Sequence, residues 1–247
     1  MTAPSATQRS DGASEPMSPE GRVPRHVAVI MDGNRRWARQ RGVPEAQGHA
    51  AGVEAIRPIV EHAVELGIEV LTIFAFSREN WQRSSQEVET LIGLLEATIR
   101  DETPKLIEEG VQVRLAGRLA ELPAATRASI EQAIAATADG KRMVLNVAFN
   151  YSSRSEILDA VKAYVDDGNS LAELDEAALS DYLYTAELPD PDLLIRTGGD
   201  QRISNFLLWQ VAYAELYFCD CYWPDFGPAR LDEAVAEYAR PVSYTHL

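Results

Sequence analysis

Residues 26–38 read HVAVIMDGNRRWA, an apolar run that stops at an acid, a glycine and two arginines. Val27, Ala28, Val29, Ile30 and Met31 are apolar at consecutive positions, which predicts a strand covered on both faces. A turn through Gly33 and Asn34 follows, and then Arg35, Arg36, Arg39 and Arg41 crowd into a short span. Asp32 in that place suits a helix N-cap. Capping alone leaves Arg35 and Arg36 unexplained, because cations at a helix start are mildly unfavourable. A bound diphosphate reverses the sign, since helix N-termini and guanidiniums both attract it. A carboxylate beside it would then hold Mg2+, a hard cation that takes one or two carboxylates plus phosphate oxygens.

Similar runs recur along the chain. HVAVIM (26–31), VLTIFAF (70–76), VQVRLAG (111–117), MVLNVAFN (143–150), DLLIRTG (192–198) and ELYFC (215–219) read as strands. Helical patterns fill 49–66, 86–109, 124–138 and 153–167, the first two stopped by Gly67 and Gly110, as is common just past a helix. This alternation predicts an α/β fold, a single domain with a central, mostly parallel six-stranded sheet flanked by helices. Residues 1–22, rich in Ser, Ala, Pro and Gly without apolar periodicity, read as a flexible tail. The domain is expected over 23–240, with an atypical C-terminal tail at 241–247.

The chain has 247 residues and a formal net charge of -15, which argues against nucleic acid as a partner. Local arginine clusters in so acidic a chain call for a small anion, with phosphate the leading candidate. No secretory h-region is present and no apolar run nears the roughly 18 residues a bilayer span needs. Membrane contact is therefore expected to be peripheral at most. Cys219 and Cys221, two apart in a strand-like segment, are expected not to bridge, which fits a reducing cytoplasm.

In parallel sheets ligands sit beyond the carboxyl ends of the strands. Three polar motifs fall there: DGNRRW after the first strand, SRENWQR after the second and RTGGDQRIS after the fifth. The second offers Ser77, Asn80, Trp81 and Arg83 in one loop, donors beside an aromatic face. The third sets Arg196, Arg202 and Ser204 around a Gly-Gly turn and lacks the GxxxxGK[ST] pattern of a P-loop. In GHAAG (48–52), His49 opens a helical segment near the first motif. Glu215 lies among apolar neighbours and needs a partner, which a metal shared with Asp32 would supply. Val88, Leu91, Ile92, Leu94, Leu95, Ile99, Leu106 and Ile107 form an apolar stripe on helix 86–109, suited to core and able to wall a greasy channel.

Taken together, HVAVIMDGNRRWA, the Gly-His pair, FAFSRENWQR, RTGGDQRISNFLLWQVAYAELYF and WPDF resemble the cis-prenyltransferases, the undecaprenyl diphosphate synthase family. The resemblance runs from about His26 to Arg240 with the motifs in family order. It implies a hydrophobic tunnel beside the sheet, a homodimer, and Mg2+-dependent condensation of isopentenyl diphosphate with an allylic diphosphate such as farnesyl diphosphate. It leans toward a C50–C55 carrier lipid for cell-wall synthesis. By the same resemblance Asp32 is the magnesium-binding acid and Glu215 the second acid, reached across or near the dimer contact. Gly33, Asn34, Arg35 and Arg36 are implied as the allylic diphosphate cradle, with Trp37 and His49 beside it. Ser77, Arg78, Glu79, Asn80, Trp81 and Arg83 match the second motif, Glu87 its trailing acid. Asn80 is implied at the proton-loss step, where an amide, a poor base, fits orienting better than abstraction. Arg196, Arg202, Ile203 and Ser204 match the isopentenyl diphosphate clamp.

The chain departs from the family pattern at Glu45, where a basic residue is common, at Gln201, where some members carry a histidine, and at its last residues, EYARPVSYTHL, which lack a basic Arg-x-Gly-type tail. No DDxxD motif of the trans-prenyl synthases occurs. A non-catalytic partner subunit of the same fold would lack the acid and the arginines, yet Asp32, Arg36, Arg196 and Arg202 are all present. A nucleotide- or sugar-phosphate-binding regulator would need a base-recognition pocket, for which the sequence offers no motif.

Overall fold

A computed structural model describes residues 22–240; the expected tail, Arg22 apart, and the segment 241–247 lie outside the described residues. All six expected strands form: β1 (His26–Ile30), β2 (Val70–Ser77), β3 (Val111–Ala116), β4 (Met143–Tyr151), β5 (Leu193–Arg196) and β6 (Glu215–Phe218). Every pairing is parallel and the order is β3-β4-β2-β1-β5-β6. β1 lies between β2 and β5, with Ile30 opposite both Phe74 and Arg196. Segments leaving β1, β2 and β5 therefore emerge side by side on one rim.

The consecutive apolar runs are explained by cover on both faces. Val27, Val29, Leu71, Ile73, Leu193 and Ile195 point to one side. They pack there on Ile59, Val60 and Ala63 of α3 (Ile56–Glu65) and on Leu231, Ala234 and Val235 of α8 (Pro228–Tyr238). Ala28, Ile30, Ala148 and Leu194 face the other way, onto Phe206, Leu207 and Val211.

The remaining helices are α1 (Asn34–Gln40), α2 (Glu45–Glu54), α4 (Ser85–Glu108), α5 (Ala124–Ala136), α6 (Ser153–Asp166) and α7 (Glu176–Ser180). The helix expected over 49–66 is two, α2 running from Glu45 to Glu54 and α3 starting at Ile56. Ala55 keeps helical angles, φ -70 and ψ -16, and Pro58, the third residue of α3, has no N–H to donate back to Glu54, so a proline marks the break. Helix α1 is the one expected after Asp32, whereas α7 and α8 were not expected. Charged residues dominate α1 and hide any apolar period, whereas Pro228 just inside α8 is a start signal open to sequence reading.

Between α3, α4 and the sheet lies a cavity of about 630 Å3, lined by Ile73, Phe76, Leu91, Leu95, Val147 and Phe149 among others. The expected apolar stripe of α4 walls it, and only Val88 of that helix is fully buried. The outer margin carries Arg57 of α3 paired with Glu102 of α4.

One expectation fails. Cys219 and Cys221 are joined by a disulfide, with Cα atoms 5.4 Å apart. β6 ends at Phe218, so both cysteines lie on the turn beyond it. An extended strand would separate such a pair by about 6.6 Å, near the upper limit for a bridge; the turn shortens this to 5.4 Å, close to the commonest bridged separation.

Candidate active site

Asp32 follows β1 and does not cap α1; the N-cap is Gly33, at φ 105, with no side-chain capping bond. A Cβ on Gly33 would stand 2.7 Å from Tyr222 Cδ1, so only glycine fits this turn. Freed from capping, the Asp32 carboxylate turns to the arginines. Its Oδ2 accepts from Arg196 Nη2 at 2.7 Å, and its Oδ1 from the Gly33 N–H at 2.7 Å, with Arg36 Nη2 at 3.2 Å. The backbone is fixed too, since Asp32 N–H donates to Thr197 Oγ1 at 2.9 Å and Thr197 Oγ1 donates back to the Asp32 carbonyl at 2.7 Å. Burial pushes the Asp32 carboxyl up, but the Arg196 hydrogen bond and charge, with Arg36, hold it below the usual carboxylate range. It is ionised at neutral pH.

Arg196 ends β5 and is 3% exposed. Its Nη1 donates to Ser204 Oγ at 2.7 Å and to the Arg202 carbonyl, while its Nε is buried without a partner among the described residues. Ser204 and Asn205 hold left-handed backbone, φ 49 and 59, which curls the segment back over Arg196. Ile203 packs on the second core face beside Phe74 and Tyr184.

The arginine fan divides. Arg35 and Arg39 both bond Glu45, at 2.6 and 2.7 Å, so the acid that departs from the family pattern neutralises two of the four guanidiniums. Arg41 lies over the Trp37 ring and bonds Asp225, to which Trp37 Nε1 also donates at 2.9 Å. Arg36 alone reaches the carboxylates. A cleft of about 380 Å3 is lined by Met31, Asp32, Gly33, Asn34, Arg35, Arg36, Arg39, His49, Arg83, Asp200 and Arg202. Trp37 is not part of this lining.

His49, on α2, presents a buried Nε2 with no hydrogen-bond partner among the described residues; Glu87 Oε1 stands 3.7 Å away, beyond reach. Burial, reinforced by the Arg83 charge, lowers the His49 pKa, so the ring is neutral and forms no ion pair with Glu87. Arg83 itself bonds Glu87 at 2.6 Å.

The second motif folds as a short 3-10 turn, Arg78–Gln82, at the end of β2. Asn80 Oδ1 accepts from the Ser77 N–H at 3.0 Å. Arg78 reaches Glu121, Glu79 accepts from Asn205 at 3.1 Å, and Trp81 Nε1 donates to Asn150 Oδ1 at 2.8 Å. With Arg78 Nη1 also donating to Ser155 Oγ of α6 at 3.4 Å, these contacts tie the turn to β4, to α6 and to the segment after Arg202.

Sequence reading passed over two residues here. Asn150, buried near the end of β4 at φ 50, holds Trp81 and donates to the Arg118 carbonyl at 2.9 Å and to Glu121 at 3.2 Å. A polar residue closing an apolar strand run was the available signal. Asp200 bonds Arg36 and Arg202, and an acid between two arginines in RTGGDQRIS was visible in the sequence.

Glu215 stands apart. It opens β6 opposite Leu193, whereas Arg196, at the rim, is opposite Phe218. Within one chain it does not meet Asp32, and no group of three or more His, Cys, Asp or Glu suited to a metal occurs among the described residues.

The rim of the parallel sheet thus carries arginine-held carboxylates in a charged cleft, with an apolar cavity in the same domain. A family model described as undecaprenyl diphosphate synthase matches residues 30–243. The chain is 46% identical to an isoprenyl transferase of Heliobacterium mobile over 229 residues, covering 91% of this chain and 88% of that protein. It is also 46% identical to one of Caulobacter vibrioides over 239 residues, covering 95% and 92%. The crystal structure of lavandulyl diphosphate synthase from Lavandula x intermedia, in complex with dimethylallyl diphosphate, superposes with a TM-score of 0.85 at 37% identity, covering 89% of this chain and 97% of that one. The chain belongs to the undecaprenyl diphosphate synthase family and is a prenyltransferase.

Proposed function

We propose that the protein condenses isopentenyl diphosphate with an allylic diphosphate such as farnesyl diphosphate, adding cis units until a C50–C55 carrier lipid for the cell wall is made. The observation that carries this reading is a pair on α2. His49 lines the charged cleft and Val53, one helical turn on, lines the apolar cavity, and residues so spaced are neighbours on one helix face. Diphosphate and lipid thus have adjoining places.

In this reading Arg35, Arg36, Asn34 and His49 take the allylic diphosphate, and Arg196, Arg202 and Ser204 take isopentenyl diphosphate. The carbon–oxygen bond to the allylic diphosphate breaks, the isopentenyl double bond attacks the allylic carbon, and a proton leaves to form the new alkene. The guanidiniums stabilise charge on the departing diphosphate, and the two clamps hold the reacting carbons at about 3–3.5 Å. Asn80 already uses its carbonyl on the Ser77 N–H. What remains for substrate is its NH2, a donor, which suits positioning and not proton abstraction. Burial of the growing chain gains about 4 kcal/mol for each five-carbon unit, at ~0.8 per carbon.

The donor set fits Mg2+. Asp32 is ionised and offers hard oxygen, matching a cation that takes few carboxylates and completes its shell with phosphate oxygens. Asp32 would hold the ion, and bound Mg2+ supplies charge neutralisation at the leaving diphosphate. Glu215 would join only through assembly. We propose the homodimer at the open β6 edge, where Tyr213 is 99% and Leu216 50% exposed, an edge that favours a partner. No helix among the described residues is long and apolar enough to cross a membrane, which supports peripheral contact. The cytoplasmic placement loses the support it drew from unbridged cysteines. Radiolabelled isopentenyl diphosphate with farnesyl diphosphate and Mg2+ tests the reading: label passes into extractable lipid and EDTA stops it, whereas no lipid at any primer length contradicts it.

A further inference from the structure

Asp200 has no part in the condensation described above, yet it lines the charged cleft. Its Oδ2 lies 3.3 Å from Arg36 Nη2, 3.0 Å from Arg202 Nη2 and 3.6 Å from Arg196 Nη2. One oxygen thus stands among three guanidiniums, one from the β1 motif and two from the β5 motif. Gly198, at φ 87, carries the chain to this point, and a Cβ there would stand 2.7 Å from Arg36 Nη2, so the approach is close. A carboxylate oxygen and a phosphoryl oxygen make the same demand on such forks, an anionic acceptor for several N–H donors.

We propose that Asp200 is an internal anion that takes the diphosphate position between the two clamps in the free protein, and that an incoming diphosphate displaces it. The proposal rests on the diphosphate reading of the cleft. Two effects of Asp200 oppose each other: it holds the arginines in place, and it repels the ligand. Its partners Arg36 and Arg202 are 38% and 62% exposed, and such pairs contribute little. Arg196 keeps its place without Asp200, through Asp32 and Ser204. Repulsion of a multiply charged diphosphate by the carboxylate it must push aside, in a partly desolvated cleft, is the larger effect. Neutralising Asp200 therefore tightens diphosphate binding.

Calorimetric titration of the whole protein with inorganic pyrophosphate in EDTA tests this, comparing wild type with Asp200→Asn and Asp200→Ser, each first shown by its melting curve to be folded. Both variants are expected to bind about tenfold tighter, the factor that corresponds to about 1.4 kcal/mol. Equal or weaker binding by folded variants overturns the proposal while leaving the cleft a diphosphate site. A second titration in excess Mg2+ separates a metal ligand from a displaceable anion: binding weakened by Asp200→Asn there, against no gain in EDTA, also overturns it. If wild type itself shows no saturable binding in either buffer, the diphosphate reading and this proposal fall together.

Discussion

Asp32 and Arg196 are 164 positions apart in sequence and meet at 2.7 Å, the acid after β1 bonded to the guanidinium that ends β5. The contact joins the two motifs proposed to hold two different substrates, and it gives Asp32 a structural role beside the one proposed for it in turnover. Asp32→Asn is expected to cut turnover by about 100-fold or more. It also leaves a buried arginine facing an amide, at about 1–3 kcal/mol, so the melting temperature falls by roughly 2–10 °C. Steady-state rates beside thermal melts check both halves; near-normal turnover rules out the role given to Asp32.

Arg202 behaves differently because it is 62% exposed and, among the described residues, its side chain bonds only Asp200. Arg202→Ala should leave stability within about 0.5 kcal/mol while raising KM for isopentenyl diphosphate roughly tenfold, the primer KM moving less. Arg36→Ala should show the opposite split. Equal effects of either variant on both substrates break the two-clamp assignment.

Asn150 is the support for the β2 turn. Glycine tolerates its φ of 50, so Asn150→Gly removes the bonds to Trp81, Arg118 and Glu121 without adding backbone strain. Stability is expected to fall by about 1–3 kcal/mol, with a red shift of tryptophan emission as Trp81 loosens and turnover lowered. Unchanged emission and rate in this variant contradict the bracing role.

These cases mark how far the sequence carries. Each strand was legible because a sheet buried on both faces demands unbroken apolar runs, and the arrival of Asp32, Ser77 and Arg196 on one rim followed from parallel pairing. The strand order was not legible, since any apolar run can pair with any other. The break at Ala55 had a signal in Pro58, which removes a helical hydrogen bond just past it. Arg35 and Arg36 read alike in sequence, yet Glu45 holds one and Asp32 receives the other; only the fold distinguishes them. Glu215 shows the converse, since a motif can name a residue that a single chain keeps three register positions from the rim.

His26 supplies a pH signature away from the site. It is 1% exposed, its ring between the Pro189 carbonyl at 2.6 Å and Thr72 Oγ1 at 2.7 Å. Burial pushes its pKa down from 6.5 to about 4. The unfolded chain takes up this proton below about pH 6.5 and the native state only near 4, so the contribution is full above 6.5 and is lost as pH falls toward 4. The loss is on the order of 3 kcal/mol. Melting temperature should therefore drop across that window more steeply in wild type than in His26→Gln; parallel curves contradict this.

Mass spectrometry of the lipid made from isopentenyl and farnesyl diphosphates bears most directly on a charged cleft that feeds an apolar cavity. The account predicts a ladder of prenyl diphosphates growing by single five-carbon units to a C50–C55 limit, and a shorter ladder when Val147→Phe fills the cavity lining. A single condensation with no further growth, or an unchanged ladder in the filled variant, would contradict it.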